Sequence, residues 1–115
     1  MVPQHEQSVP MIRHISVPAD SPWFQGHFPG DPMLPGIAQL HLVLETLKES
    51  LGEGLRLTGL KRVRFKRIIR PDEVIAIATD PVPDKPGLYR FQLTIRGENA
   101  CGGLMMTDCA DADDP

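Results

Sequence analysis

The sequence predicts a single α+β domain in which one helix packs against an antiparallel sheet of about five strands. Three observations indicate this class. The length of 115 residues suits one hydrophobic core, one helical apolar stripe follows residue 36, and strand-like runs flank it. Short turns join the later strands, so these strands are expected to pair antiparallel with the helix against one sheet face.

The first strand is predicted over residues 11–17, where apolar and polar residues alternate and Arg13 is the exception. From Gly36 onward, apolar residues recur at three- and four-residue steps, which predicts a helix. Gly52 and Gly54 supply the signal that ends it. The predicted buried stripe consists of Ile37, Leu40, Leu44, Leu47 and Leu51.

Four more strands are predicted after the helix, separated by turns rich in proline, glycine and asparagine. They cover residues 55–69, 73–79, 89–95 and 103–107, with turns at 70–72, 81–87 and 97–99. The domain is expected to span residues 11–108, between a flexible N-terminus at 1–10 and an acidic tail at 109–115.

Composition predicts a cytoplasmic protein with no membrane association. The longest apolar run, Val74–Ala78, has five residues, against roughly 18 needed to cross a bilayer. The N-terminus has neither a basic start nor an apolar stretch, so no signal peptide is expected. Cys101 and Cys109 form neither a disulfide framework nor a CxxC pair, which favours reduced thiols.

Positive charge is concentrated in one segment. Seven of the twelve Lys and Arg residues lie between positions 56 and 70, where there is no Asp or Glu. Alternation there predicts that Val63 and Phe65 face the core while Arg62, Arg64 and Lys66 face outward. The basic face is either simply solvated or a docking surface for an acidic or phosphate-bearing partner. Nucleic acid is not expected, because the net charge is −3 and the segment has one aromatic residue.

Five prolines and three glycines fall within residues 18–36, and a long stiff loop in a small domain is more often functional than filler. His27 on this loop is either a candidate general base or a histidine bonded to its own loop. Gly36 follows Pro35 at the helix start, where unpaired N–H groups and the helix dipole could stabilise an oxyanion.

His41 lies in the second helical turn beside the apolar stripe, with Glu45 one turn further on. We expect it to be partly buried, either as a functional group or as a core-edge histidine. A metal site made by His27 and His41 is not expected, because a third ligand is lacking.

Residues 26–36, GHFPGDPMLPG, resemble the GHFPGxPxxPG signature of bacterial 3-hydroxyacyl-acyl-carrier-protein dehydratases, which belong to the hotdog-fold superfamily. Residues 63–73, VRFKRIIRPDE, are similar to the family's strand that ends in a PGD turn, with Asp72 where glycine is usual. The resemblance spans roughly residues 10–107. It implies a long helix wrapped by a curved antiparallel sheet, and conversion of a 3-hydroxyacyl thioester to the trans-2-enoyl product without metal or cofactor.

The resemblance also implies roles for single residues. His27 matches the base that acts at C2, and Gly36 matches the glycine whose N–H polarises the thioester carbonyl. The family's acid lies fourteen residues past the histidine, where this chain has His41. Either His41 donates the proton or positions water, or Glu45 or Asp31 replaces it, or dehydratase activity is lost. Residues implied to bind substrate are Phe28, Pro29, Gly30, Leu34 and Pro35.

In this family the active site lies at a dimer interface, with the histidine from one subunit and the acid from the other. The resemblance therefore implies a homodimer or higher oligomer, or a heterodimer whose other chain supplies a carboxylate. The implied partner is acyl carrier protein with a phosphopantetheine-linked acyl chain, in fatty acid or related lipid or polyene biosynthesis. Its docking residues would be Arg62, Arg64, Lys66 and Arg67. The alternatives are a hotdog thioesterase and a non-catalytic acyl-binding or partner subunit.

Overall fold

One helix lies against a five-stranded antiparallel sheet in the computed structural model, which describes residues 10–24 and 32–109. The helix α1 spans Gly36–Leu51, as predicted. The strands are β1 (Met11–Ile15), β2 (Leu55–Phe65), β3 (Ile75–Pro81), β4 (Leu88–Ile95) and β5 (Glu98–Cys109). They lie in the order β1-β3-β4-β5-β2, so the predicted α+β class and the hotdog architecture are confirmed.

Backbone geometry alone fixes both ends of α1. Pro35, in extended conformation (φ −64°, ψ 153°), precedes the first helical residue and provides no side-chain cap. At the other end Gly52 adopts φ 112° and donates its N–H to Lys48 O at 2.9 Å. A left-handed residue is what glycine allows at a helix C-terminus. The predicted stop signal therefore acts as expected.

The buried face of α1 differs from the predicted stripe. Of that stripe, Leu47 is buried, whereas Ile37 is 71% exposed. Leu40, Leu44 and Leu51 of the stripe are partly buried against the core. The fully buried residues of the helix are Ala38, Gln39, Val43, Thr46 and Leu47. Apolar residues occur on several sides of this helix, so periodicity alone could not fix its rotation.

Arg13, the exception in the first strand, links β1 to the helix. Its guanidinium donates a hydrogen bond to Thr46 Oγ1 at 3.4 Å and forms an ion pair with Glu49 at 3.2 Å. The side chain is 30% exposed, so its charge keeps access to water. A basic residue on the inward side of this edge strand thus has a structural function.

Two strand predictions are wrong in their limits. β2 ends at Phe65 rather than residue 69, and β5 begins at Glu98 rather than residue 103. The turn between β4 and β5 is only Arg96-Gly97, both with positive φ, as in tight hairpins. The small residues that follow, including Gly102 and Gly103, carry weak strand preference, which hid the start of β5 in the sequence.

A segment after β2 joins the sheet to the proline-rich loop. Lys66 N–H donates to Ala100 O on β5 at 2.8 Å. Leu34 N–H donates to Ile69 O at 2.8 Å, and Asp72 N–H donates to Val17 O at 2.9 Å. Both described flanks of the loop are therefore held by the same stretch of chain.

Among the described residues, no helix has the length and apolar content to span a membrane.

Candidate active site

A cavity of about 600 Å³ opens at the N-terminal end of α1. Its walls come from the end of the proline-rich loop, the first helical turn and the segment that follows β2. Predicted site residues Leu34, Pro35 and Gly36 all line it. The cavity therefore combines an apolar wall with the start of a helix.

Gly36 brings a backbone donor to this cavity. The first N–H groups of a helix have no intrahelical acceptor and lie at the positive end of its dipole. Within residues 10–24 and 32–109, no hydrogen bond from Gly36 N–H is formed. A methyl group on Gly36 would lie 2.8 Å from Phe65 Cζ, so glycine also permits the aromatic ring to pack over the helix start.

Phe65 is less buried than predicted. It was expected on the core face, yet it is 51% exposed and lies at the cavity wall over Gly36. A break in β2–β5 pairing between Lys61 and Arg64, where Arg62 has φ 57°, changes the alternation before Phe65 is reached. Val63 remains partly buried against the core.

Gln39, which the sequence analysis did not single out, also lines the cavity. It is 4% exposed and donates from Nε2 to Leu34 O at 3.2 Å. Its Oε1 is buried and has no hydrogen-bond partner in the described part of the chain. In the sequence, the signal for this residue was a polar side chain between Ala38 and Leu40 near the helix start. The predicted apolar stripe did not include this position, so Gln39 was not expected to be buried.

His41 lies away from the Gly36 cavity. Its side chain is 49% exposed, more open than expected, and its ring centre is 5.9 Å from that of Trp23. His41 Nε2 lies 3.8 Å from Glu45 Oε2, and Lys48 Nζ lies 4.0 Å from the same oxygen. Five residues along a helix correspond to a rotation of about 140° between Gly36 and His41. A single chain therefore does not bring these two groups into one cavity.

Several predicted site residues lie outside the described ranges, namely His27, Phe28, Pro29, Gly30 and Asp31. Their roles remain predictions. Among the residues that are described, no group of three His, Cys, Asp or Glu side chains could hold a metal ion.

The four predicted docking residues of the basic segment divide into two groups. Arg67 forms ion pairs with two carboxylates: its Nη2 lies 3.0 Å from Glu73 Oε2, and its Nε lies 3.4 Å from Glu98 Oε1. In contrast, Arg62, Arg64 and Lys66 form no ion pair with a carboxylate of the described ranges. These three surround a small depression of about 110 Å³ on the surface. Three of the four predicted docking residues thus present available charge in one place.

Glu73 fixes the segment that forms one cavity wall. It accepts hydrogen bonds from Arg70 N–H at 2.7 Å and from Arg67 Nη2 at 3.0 Å. Burial raises the pKa of the Glu73 carboxyl, but the Arg70 N–H and the Arg67 guanidinium outweigh burial and hold this pKa below its ordinary value. The ionised carboxylate therefore stabilises the turn beside Ile69.

The chain is similar to known proteins in sequence. A family profile described as "ApeI-like: ApeI dehydratase" matches residues 3–103. The chain is 34% identical over 104 residues to the 3-hydroxyacyl-[acyl-carrier-protein] dehydratase FabZ of Caldicellulosiruptor saccharolyticus, covering 83% of this chain and 73% of that protein.

Solved structures share the fold. The dehydratase heterocomplex ApeI:P from Xenorhabdus doucetiae superposes with a TM-score of 0.77 at 24% identity, covering 89% of this chain and 88% of that one. The fluoroacetyl-CoA thioesterase FlK superposes with a TM-score of 0.66 at 12% identity, covering 91% and 89%. At these identities the likenesses concern the fold alone.

Replacing Glu73 with glutamine is expected to destabilise the fold by about 1–2 kcal/mol at pH 7, since it removes charge-assisted hydrogen bonds. The folded-state pKa of Glu73 is lowered, so its contribution is complete above the unfolded value of about 4.3 and disappears as pH falls through the folded value. Urea unfolding of wild type and Glu73→Gln should therefore show a stability difference that shrinks below about pH 4.

The exposed Glu53 provides the control, because Glu53→Gln should change stability little at either pH. A Glu73→Gln difference that stayed constant down to pH 3 would contradict the role given to the carboxylate.

Proposed function

Because the chain belongs to the ApeI-like dehydratase family, we propose that it removes water from a 3-hydroxyacyl thioester on acyl carrier protein and yields the trans-2-enoyl thioester. The reaction would serve cytoplasmic fatty acid or related lipid or polyene biosynthesis. The observation that carries this proposal is the Gly36 N–H at the helix start, which has no acceptor among residues 10–24 and 32–109 and lines a largely apolar cavity of about 600 Å³. A donor in this position suits a carbonyl oxygen that gains negative charge.

The proposed reaction needs a base, an oxyanion donor and an acid. His27 takes the C2 proton, and the developing charge on the thioester oxygen is stabilised by Gly36 N–H. The electron pair then forms the C2–C3 double bond while the C3–O bond breaks. The departing hydroxyl takes a proton from His41 and leaves as water. Proton transfer from His27 through solvent to His41 restores both groups.

Glu45 Oε2 lies 3.8 Å from His41 Nε2, and this neighbouring carboxylate supports His41 as the group that exchanges a proton with the substrate. The separation of His41 from the Gly36 cavity supports a site shared between two chains. One chain would supply His27 and Gly36, and a second copy would supply His41. This arrangement matches the interface site implied by the dehydratase signature.

A partner-subunit role is the second candidate. The observation that favours it is His41 itself, at the position where the related dehydratases are expected to have a carboxylate. A structural neighbour is a dehydratase heterocomplex, so a different related chain could occupy the place of the second copy.

Arg62, Arg64 and Lys66 support docking of an acidic carrier protein. They lie at or next to the wall of the Gly36 cavity, since Lys66 lines both this cavity and the small basic depression. A carrier bound there would bring its phosphopantetheine arm to the entrance of the cavity. Arg67 is expected to contribute less, because Glu73 and Glu98 already neutralise it.

Incubation of the chain with a 3-hydroxyacyl carrier protein should lower the carrier's mass by one water, as followed by mass spectrometry. His27→Ala should reduce the rate by about 10²–10⁴-fold, the usual contribution of general acid–base catalysis. His14→Ala, which alters an exposed histidine on β1, should leave the rate unchanged. Release of free acid would indicate a thioesterase, and no change would indicate the partner-subunit role.

Mixing two inactive variants tests whether the site is shared. The variants His27→Ala and His41→Gln should each lose most activity. Co-expression of the two variant chains should recover about a quarter of wild-type turnover, because half of the randomly paired dimers have one of their two sites intact. No recovery, with dimers demonstrated by mass, would show that both histidines act within one chain. Full activity of His41→Gln alone would remove His41 from the mechanism.

The double variant Arg62→Glu, Arg64→Glu should raise KM for a carrier-bound substrate about 10-fold, with a weaker salt dependence. The same variant should treat a small pantetheine thioester like wild type, because that substrate needs no docking surface. Arg90→Glu on β4 is the matched charge reversal and should affect neither substrate. Equal loss with both substrates would contradict the docking role.

A further inference from the structure

An aromatic ring from another part of the chain packs beside the imidazole of His41. Trp23 is the single tryptophan of the sequence, and its ring centre lies 5.9 Å from that of His41, with the two ring planes inclined by 48°. Aromatic pairs that stabilise each other have ring centres roughly 4.5–7 Å apart. Because the His41 side chain is 49% exposed, burial in the core does not by itself set the direction of its ring.

The position of Trp23 is well defined. The residue lies in a short 3₁₀ turn, Pro22–Phe24, whose last side chain is buried in the core. Trp23 N–H donates to Ser21 Oγ at 3.2 Å, and the side chain of Trp23 packs against the buried core residues. A side chain packed in this way has lost most of its rotamer freedom. The indole is therefore a rigid surface beside His41.

Glu45 restricts the imidazole from a second direction. Its Oε2 lies 3.8 Å from His41 Nε2, one turn further along α1. Exposed side chains ordinarily exchange between rotamers on a fast timescale. Here an indole from another element and a carboxylate from the same helix both favour one orientation of the ring. The contacts that position His41 thus come from its own chain.

We propose that Trp23 is a positioning residue for His41: the indole holds the imidazole in the orientation needed to exchange a proton with a substrate in the Gly36 cavity of a second copy. This inference rests on the proposed function for the reaction. A planar imidazole can pack against an indole, whereas the carboxylate expected at this position in the related dehydratases has no ring to do so. Trp23 and His41 would therefore act as a pair.

The orientation of such a group affects turnover more than binding. A side chain that exchanges a proton in the transition state has to lie within hydrogen-bond reach of the reacting atom. A misplacement of about 1 Å can lower the rate about 100-fold. Loss of the indole should therefore lower kcat, while KM depends on the Gly36 cavity and the docking residues and should change little.

Replacing Trp23 with leucine should lower kcat for the carrier-bound substrate about 10- to 100-fold and leave KM within about threefold of wild type. Trp23→Phe keeps an aromatic ring and should retain kcat within about fivefold. Tyr89→Leu is the matched control, because Tyr89 is also partly buried against the core but lines a different cavity, and it should leave kcat unchanged. Equal losses of kcat in Trp23→Phe and Trp23→Leu would overturn the role of the ring.

A double-mutant cycle separates an effect through His41 from an effect on the loop that contains His27. In a His41→Gln background, Trp23→Leu should lower the residual rate no further, because the group that it positions is gone. Losses that multiply would show that Trp23 acts elsewhere and would overturn the inference.

Nuclear magnetic resonance tests the orientation of His41 without turnover. In wild type, three-bond couplings to Cγ should show one χ1 rotamer of His41, together with a nuclear Overhauser effect between the ring protons of Trp23 and His41. In Trp23→Leu the couplings should approach averaged values, like those of the exposed His14 on β1.

These outcomes distinguish the inference from the proposed function. Averaged couplings for His41 in wild type would overturn the inference even if the chain dehydrates its substrate, and this measurement needs no variant. A single rotamer that depends on Trp23, in a chain that never releases water, would uphold the positioning of His41 and remove the catalytic proposal.

Discussion

Two backbone hydrogen bonds hold together the candidate active site at the start of α1. Leu34 N–H donates to Ile69 O and Asp72 N–H donates to Val17 O, at 2.8 and 2.9 Å. Together they attach both sides of the proline-rich loop to one segment that follows β2. Because α1 begins directly after this attachment, the same bonds set the position of its first N–H groups. The segment is in turn joined to β5 by Lys66 N–H and stabilised by the Arg67–Glu73 ion pair.

The helix start supplies the N–H of Gly36 to the cavity, whose walls are mostly apolar and also include Lys66 and Arg67. To stabilise a charge that appears only during the reaction, a site needs groups that are fixed in advance and shielded from water. His41 lies outside this cavity, with Glu45 at 3.8 Å. This separation is the reason that the proposed mechanism takes its acid from a second chain.

Much of the fold could be predicted because local signals agreed with it. Pro35-Gly36 and Gly52 mark the limits of α1 by backbone conformation, so both ends were correct. Rotation of the helix depends on packing with the sheet, and the sequence carries apolar residues on too many sides to decide it. The start of β5 was missed for a related reason, since its pairing with β4 and β2, rather than its own composition, makes it a strand. In the candidate site, Leu34, Pro35 and Gly36 were predicted from the loop motif and line the cavity. Gln39 also lines it, but its burial depends on the rotation of the helix, which the sequence does not decide.

The helix start has no side-chain cap, and the loop flank before it is attached through main-chain atoms of Leu34 and Ile69. Main-chain bonds persist when side chains change, provided that proline does not replace the donor. Residues such as Met33 and Ile68 can therefore be exchanged during evolution, or in a library of variants, with little effect on where Gly36 presents its N–H. If the cavity holds the acyl chain as proposed, the chain length that it accepts can change while Gly36 stays in place. Such a scaffold separates the evolution of specificity from the preservation of chemistry.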